Sequence, residues 1–289
     1  MTTTSDVQAG AEPRVVVVIG ASSGIGRVTA LSYSRRGDCL VLAARSTEAL
    51  ERVADECRRE GAAAVLVQPT DIADADQVDM LFDRAVERFG RVDVAAQCAA
   101  ITAFGRFEDL PADVFENIVR TNLFGAVNVA RSALSHFRVR GSGHLVLVGS
   151  LLGVMAVPYQ SAYVVSKFAM NGLVRALRQE NRHLPDVRIH GIYPGPVDTP
   201  VYETAGNYLG RTPVVPPTAD APEVVAAAIV RATSRRRSSE RQVGLVNRPA
   251  IAFYRLLPRV FDAVIGPMLQ TVSFSSEKTE SNAGNVFRS

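Results

Sequence analysis

The chain has 289 residues, 47% hydrophobic and 21% charged, with a formal net charge of +3. Length and composition allow one large globular domain with a substantial core, and the small net charge argues against a dedicated nucleic-acid binder. Three cysteines (Cys39, Cys57, Cys98) without C-x-x-C spacing and four scattered histidines (His136, His144, His183, His190) argue against a disulfide framework and supply no metal-ligand set, so no metal and a reducing, cytoplasmic compartment are expected.

In chain order, residues 1–12 are polar and lack the apolar run of a signal peptide; they are expected to form a disordered tail. Short apolar runs follow at 14–20, 39–44, 64–68, 92–97, 144–150, 187–193 and 242–246. They are rich in Val, Leu and Ile and mostly lack polar alternation, the pattern of strands buried on both faces of a parallel sheet. Helical periods lie between them. In 46–61, Leu50, Val53, Ala54 and Cys57 form an apolar stripe that stops at Gly61; in 74–90, Val78, Leu81, Phe82, Ala85, Val86 and Phe89 form another that stops at Gly90. The alternation predicts an α/β fold: a single doubly wound Rossmann-type domain over 13–248, with a mostly parallel seven-stranded sheet and ligands at the carboxyl ends of its strands.

The first strand runs directly into IGASSGIG (19–26), which opens a helical pattern. Gly20, Gly24 and Gly26 admit backbone angles closed to other residues and let a phosphate approach the main chain, and the helix that follows presents unpaired N–H groups to an anion. Ser22, Ser23 and Ile25 complete the loop. In this strand–turn–helix setting the motif predicts dinucleotide binding. The second strand ends in LAARS. Where a dehydrogenase that prefers NAD carries an acidic residue for the ribose hydroxyls, this chain has Ala44 and Arg45. A cation pairs with a 2′-phosphate, and Ser22 and Ser23 add hydroxyl donors, so NADP(H) is expected ahead of NAD(H).

Residues 158–185 read as one long helix on which Tyr163 and Lys167, four apart, share a face. A nearby ammonium favours the phenolate and lowers a pKa that is otherwise about 10; a tyrosine tuned this way exchanges a proton with a substrate oxygen near neutral pH. Alone, such a pair is usually only packing beside a solvated charge. Ser150 closes the fifth strand in VGS, Asn122 sits in the helical segment RTNLFG, and YPGPVDTP follows the sixth strand with a Pro194–Gly195 turn and Thr199.

In order and spacing these residues, with Asp71 in TDIAD, resemble the short-chain dehydrogenase/reductase family, in the subgroup of chains about this long; the resemblance covers about residues 13–248. It implies that Tyr163 is the general acid in reduction and the base in oxidation, that Ser150 bonds the substrate oxygen, that Lys167 holds the nicotinamide ribose and depresses the Tyr163 pKa, and that Asn122 positions a water feeding protons to Lys167. It implies that Asp71 and Ile72 meet the adenine, and that Pro194, Gly195, Val197 and Thr199 line the nicotinamide end. It also implies a homo-oligomer, dimer or tetramer, formed through the helix carrying Tyr163, whose small residues Ala162, Ser166 and Ala169 permit close approach.

The chain departs from the family at the end of the fourth strand, where Asn-Asn-Ala-Gly is replaced by Gln97, Cys98, Ala99 and Ala100. Two amides that tie adjacent strands are absent. Ala99 and Ala100 stand where the backbone runs close to the cofactor, and Ala100 is strained by roughly 1 kcal/mol if that position requires φ > 0. Two functions therefore stay open: an oxidoreductase with compensated packing, favoured by Asn122, Ser150, Tyr163 and Lys167, and a non-catalytic nucleotide-binding or sensing protein.

The apolar stretches 151–159 and 201–217, the second long enough to close as a lid, point to a mostly apolar carbonyl or secondary alcohol as substrate. Residues 249–289 read as a helical extension followed by a disordered tail. Arg255, Pro258, Arg259 and Asp262 interrupt its apolar run, which is not a membrane span. The extension is expected to dock on the domain, cover the pocket, join a subunit contact or lie on a membrane surface; with the basic run 234–241, the last makes a weak peripheral membrane contact the third reading.

Overall fold

Strand β1 (Val15–Ile19) is buried along its whole length because its two faces enter two different apolar layers. Val15, Val17 and Ile19 join one core, and Val16 and Val18 join the other, as the two-residue period of a strand requires. The computed structural model describes residues 12–287. Of the expected N-terminal tail, 1–11 lies outside the described residues, and Glu12 pairs with Arg91 at 2.7 Å.

The other strands of the main sheet are β2 (Cys39–Ala44), β3 (Ala64–Pro69), β4 (Val94–Gln97), β5 (Gly143–Val148), β6 (Val187–Pro194) and β7 (Ser239–Val243). They run parallel in the order β7-β6-β5-β4-β1-β2-β3. The helices are α1 (Gly24–Ser34), α2 (Thr47–Arg59), α3 (Ala75–Phe89), α4 (Ala112–Val119), α5 (Gly125–Arg140), α6 (Ser161–Glu180), the single turn α7 (Val201–Thr204), α8 (Pro222–Thr233), α9 (Asn247–Leu256) and α10 (Pro258–Val272). Helices α3, α5 and α6 pack on one face of the sheet, and α1, α2 and α8 on the other. Local chemistry sets their ends. The Asp74 carboxylate accepts from the Asp76 and Gln77 amides at the start of α3, and Gly90, at φ 76°, closes it. The chain leaves β1 towards β2 and later crosses to β4 on its other side. That reversal opens a crevice at the carboxyl ends, where such sheets bind ligands.

Three expectations are corrected. The last strand lies at 239–243 rather than 242–246, because this edge strand is polar and has a neighbour on one side only; its sequence, SERQV, lacks the apolar run used to find it. Ala162 and Ser166 do not offer a subunit contact: they share the inward face of α6 with buried Met170, and Ser166 hydrogen-bonds Asn122 at 3.2 Å. The exposed apolar residues of α6 are Val165 and Phe168.

The third correction concerns the C-terminus. The expected disordered tail is ordered through residue 287. Phe274–Lys278 pairs antiparallel with Arg211–Pro213, Asn282 bridges Asn207, and Val286 is fully buried with Ile101, Val114 and Ile118. Burial of a valine side chain contributes about 1.5 kcal/mol or more. Here two isolated apolar anchors, Phe274 and Val286, hold a segment whose overall composition is polar.

Candidate active site

A cavity of about 620 Å³ opens at the carboxyl ends of the strands. Its floor at one end is the turn from β1 into α1. Gly20 has φ 78°, and its amide donates to the Ala43 carbonyl at 2.7 Å. A Cβ on Gly20 would lie 2.6 Å from the Ala99 amide nitrogen, and one on Gly26 would lie 2.0 Å from the Gly20 carbonyl oxygen. The two glycines thus let β1, β4 and α1 converge under the cavity, leaving the first-turn N–H groups of α1 facing it. Ser23 caps α1 without committing its hydroxyl to the helix.

Arg45, at the end of β2, lines the same end of the cavity, with Asp71 and Ile72 after β3. The Asp71 carboxylate accepts from the Ala73 amide at 2.9 Å, and buried Ile72 packs against Gly125. Arg45 has a second engagement that the sequence does not announce: its guanidinium donates to the Asn285 carbonyl at 3.1 Å.

At the other end, Ser150 begins a short turn after β5, and its Oγ accepts from the Leu152 amide at 3.1 Å. Tyr163 stands on the first turn of α6. Burial raises its phenol pKa, and hydrogen bonding to the Ser150 side chain opposes that rise. Lys167, one turn on, is 1% exposed; its Nζ donates to the Val148 carbonyl at 3.1 Å and lies 5.4 Å from the Tyr163 ring centroid. Burial lowers the lysine pKa to about 8. The Tyr163 phenol pKa is thus raised rather than depressed, because burial outweighs the groups that favour the phenolate.

Every site residue expected from the sequence lines this cavity except Asn122: Gly20, Ser22, Ser23, Gly24, Ile25, Gly26, Arg45, Asp71, Ile72, Ala99, Ala100, Ser150, Tyr163, Lys167, Pro194, Gly195, Val197 and Thr199. Asn122 lies beneath, in a π-helical turn (Arg120–Phe124) between α4 and α5. Its side-chain amide bonds both the N–H and the carbonyl of Ile101, each at 2.9 Å, and so fixes the loop after β4. Ala100 carries no strain from positive φ; among the described residues only Tyr159, at 70°, is a non-glycine with that conformation. Gln97 is fully buried and donates to the Ala99 carbonyl at 3.0 Å, so this altered segment is held by its own amide.

The C-terminal extension supplies a wall that motif reading does not find. Ile265, Met268, Leu269 and Val272 of α10 line the cavity, with Phe274 and Asn285 beyond. Phe274 packs edge-on against Phe104 at 5.5 Å and Tyr159 at 6.2 Å, and Gln270 donates to the Tyr159 hydroxyl at 2.5 Å. The usable signal is the spacing of Phe261, Ile265 and Leu269, which places one apolar face of α10 inward.

Comparison with known proteins decides the family. The profile of the family described as "short chain dehydrogenase" matches residues 14–208. The chain is 33% identical over 275 residues to the "Uncharacterized oxidoreductase YxnA" of Bacillus subtilis, covering 92% of this chain and 74% of that one.

This chain belongs to the short-chain dehydrogenase family.

It is also 34% identical over 194 residues to human "Dehydrogenase/reductase SDR family member 7", covering 66% of this chain and 57% of the human one. Among solved structures it is similar to an alcohol dehydrogenase from the archaeon Thermococcus sibiricus complexed with 5-hydroxy-NADP, with a TM-score of 0.70, 29% identity, and coverage of 81% of this chain and 97% of that one. As a short-chain dehydrogenase the chain is an oxidoreductase of a family that uses a nicotinamide cofactor on small molecules. Among the described residues no helix is long and apolar enough to cross a membrane.

Proposed function

We propose that this oxidoreductase is NADP(H)-dependent and moves a hydride between the nicotinamide and the carbonyl or secondary alcohol carbon of a mostly apolar substrate. The observation that carries the reading is the separation of chemistries along one cavity: Arg45 and the glycine turn at one end, Ser150, Tyr163 and Lys167 at the other. The residues fit a dinucleotide. Gly20 and Gly26 let β1, β4 and α1 converge beneath the cavity where any Cβ would clash with backbone, the start of α1 faces the cavity, and Arg45 brings a cation where an acidic residue would repel a 2′-phosphate. The solved relative complexed with an NADP analogue supports the same choice.

When bound, the nicotinamide donates or accepts the hydride; the protein handles the proton and the geometry. The Ser150 O–H donates to the substrate oxygen. Tyr163 gives its phenolic proton to the oxygen of the forming alcohol in reduction and takes it back in oxidation. Lys167, largely protonated below pH 8, favours the phenolate left behind. Asn122 is a positioning residue that holds the loop bearing Ala99 and Ala100. Leu151, Leu152, Met155, Phe104, Tyr202 and Phe274 make the substrate end apolar and keep water from the reacting atoms. NADPH consumption with a panel of apolar ketones and aldehydes tests the reading: turnover by the parent and none by Tyr163→Phe supports it, and equal turnover contradicts it.

Subunit association is assigned to the outer face of α6, where Val165 and Phe168 are exposed. A peripheral membrane contact is the second reading of the extension. It is favoured by exposed Leu256 and Leu257 between Arg255 and Arg259, with exposed Val260 just after, at the α9–α10 corner. The basic run at 234–241 does not join this corner, since it lies before and within β7 and α9 leaves that strand's other end. Flotation with anionic vesicles separates the cases: protein left in the soluble fraction rules the contact out.

A further inference from the structure

We infer that the C-terminal segment 282–287 is a strap that completes the cofactor site and governs cofactor exchange, with Asn285 as its cofactor-facing residue. The inference rests on the nicotinamide reading above and concerns residues outside the segment matched by the family profile, which ends at 208.

The segment is tied at three points, two of them on the cavity-lining residues Thr204 and Arg45. Asn285 donates its amide to the Thr204 carbonyl at 2.8 Å and its side-chain nitrogen to the Thr204 hydroxyl at 3.2 Å, which fixes it to α7 after β6. Its carbonyl accepts from Arg45 at the end of β2 at 3.1 Å. The next carbonyl, of Val286, accepts from the Asn117 side chain of α4 at 2.6 Å. In the sheet, β6 and β2 lie on opposite sides of β4 and β1. A chain segment bonded to the loops of both therefore passes over the crevice between them.

The anchors are firm and the path is narrow. Val286 is fully buried, and Asn282 and Asn207 exchange backbone hydrogen bonds at 2.9 and 2.7 Å. Gly284 has φ 54°, and a Cβ there would lie 2.3 Å from the Thr204 carbonyl oxygen, so only glycine passes without displacing α7.

Two features turn this segment towards a ligand rather than towards packing alone. Asn285 lines the cavity, and its side-chain Oδ1 is buried with no hydrogen-bond partner in the chain; a ribose hydroxyl or an adenine amino group is the class of donor that would satisfy it. Arg45, which the 2′-phosphate reading requires, is the residue that latches the strap. A guanidinium has five N–H donors, enough to hold the Asn285 carbonyl and a phosphate together. The strap thus closes over a bound dinucleotide and must release for exchange.

Stopped-flow binding of NADPH tests this with the full chain, a chain ending at Ser281, and Gly284→Ala, each first shown by circular dichroism to be folded. The expected result is an NADPH dissociation rate at least tenfold faster in both altered chains. Folded variants that bind and release NADPH at the parent's rates overturn the strap and leave the nicotinamide reading intact. NADPH binding by the shortened chain but not by the full chain overturns the strap as part of the cofactor site and makes the segment an occluding one. Binding by neither overturns the nicotinamide reading and the strap with it. Hydrogen exchange on the unaltered chain gives an independent check that needs no variant: NADPH is expected to slow exchange of the 282–287 amides at least tenfold, and unchanged exchange contradicts the strap.

Discussion

Lys167 lies over the face of the Tyr163 ring, with Nζ 5.4 Å from the ring centroid and donating to the Val148 carbonyl at 3.1 Å. Its cation therefore acts on the phenol through the ring face and from a buried position. The same hydrogen bond ties the first turns of α6 to the end of β5, where Ser150 begins, so proton donor and substrate-orienting hydroxyl share one rigid frame.

Tyr163→Phe keeps the ring and removes the proton. Loss of a positioned general acid or base typically costs 10²–10⁴ in rate, so kcat is expected to fall by about that factor while NADPH affinity stays within about threefold. Steady-state kinetics and calorimetry on the same preparation check both halves.

Lys167 is buried as a cation whose pKa falls from 10.5 to about 8. The unfolded chain holds this proton up to the ordinary lysine value, so between about pH 8 and 10.5 it binds more protons than the folded chain. Stability arising from this group is therefore lowest below pH 8 and rises with pH through that window. Lys167→Met removes the term, worth about 3 kcal/mol by the linkage relation. Its stability relative to the parent is expected to be highest near pH 7 and to decline towards pH 10 in urea titrations. A difference that does not change with pH contradicts the buried cation.

Arg45→Asp replaces the cation at the end of β2 with the charge that suits ribose hydroxyls. The ratio of kcat/KM for NADPH to that for NADH is expected to fall at least a hundredfold, about 3 kcal/mol. An unchanged ratio places the 2′-phosphate elsewhere.

His144 and His190 stack at 5.4 Å, with Nδ1 and Nε2 3.1 Å apart, and burial lowers their pKa values to about 4 and about 3. Both stay neutral in the folded chain while the unfolded chain takes up protons near pH 6.5. The stability they permit is fully present above pH 6.5 and is lost as pH falls towards 4. Chemical denaturation at pH 7, 6, 5 and 4 is expected to show that loss, and His190→Gln is expected to flatten it.

The main sheet is legible in the sequence because valine-rich runs need two apolar layers, and β1 shows both. Strand β7 is harder to read: an edge strand with polar side chains has no hydrophobic signature. The cavity's lining from the glycine turn to Thr199 follows from motif spacing, since each motif sits at a strand end or, for Tyr163 and Lys167, on the first turns of α6. Asn122 is legible as a motif residue, but that its amide serves the Ile101 backbone rather than the cavity needed the structure. The C-terminal wall and Asn285 needed it too. Phe274 and Val286 are single apolar residues in polar surroundings, and periodicity cannot register an isolated anchor. Arg45 is legible as a cation after a strand, whereas its bond to a carbonyl 240 residues away is a product of the fold.

Calorimetric titration of the full chain with NADPH, with NADH alongside, tests the central claim most directly. The glycine turn, the start of α1 and Arg45 predict NADPH binding at least tenfold tighter than NADH. Equal affinities would contradict the assignment of Arg45, and binding of neither would contradict the oxidoreductase mechanism proposed for this cavity.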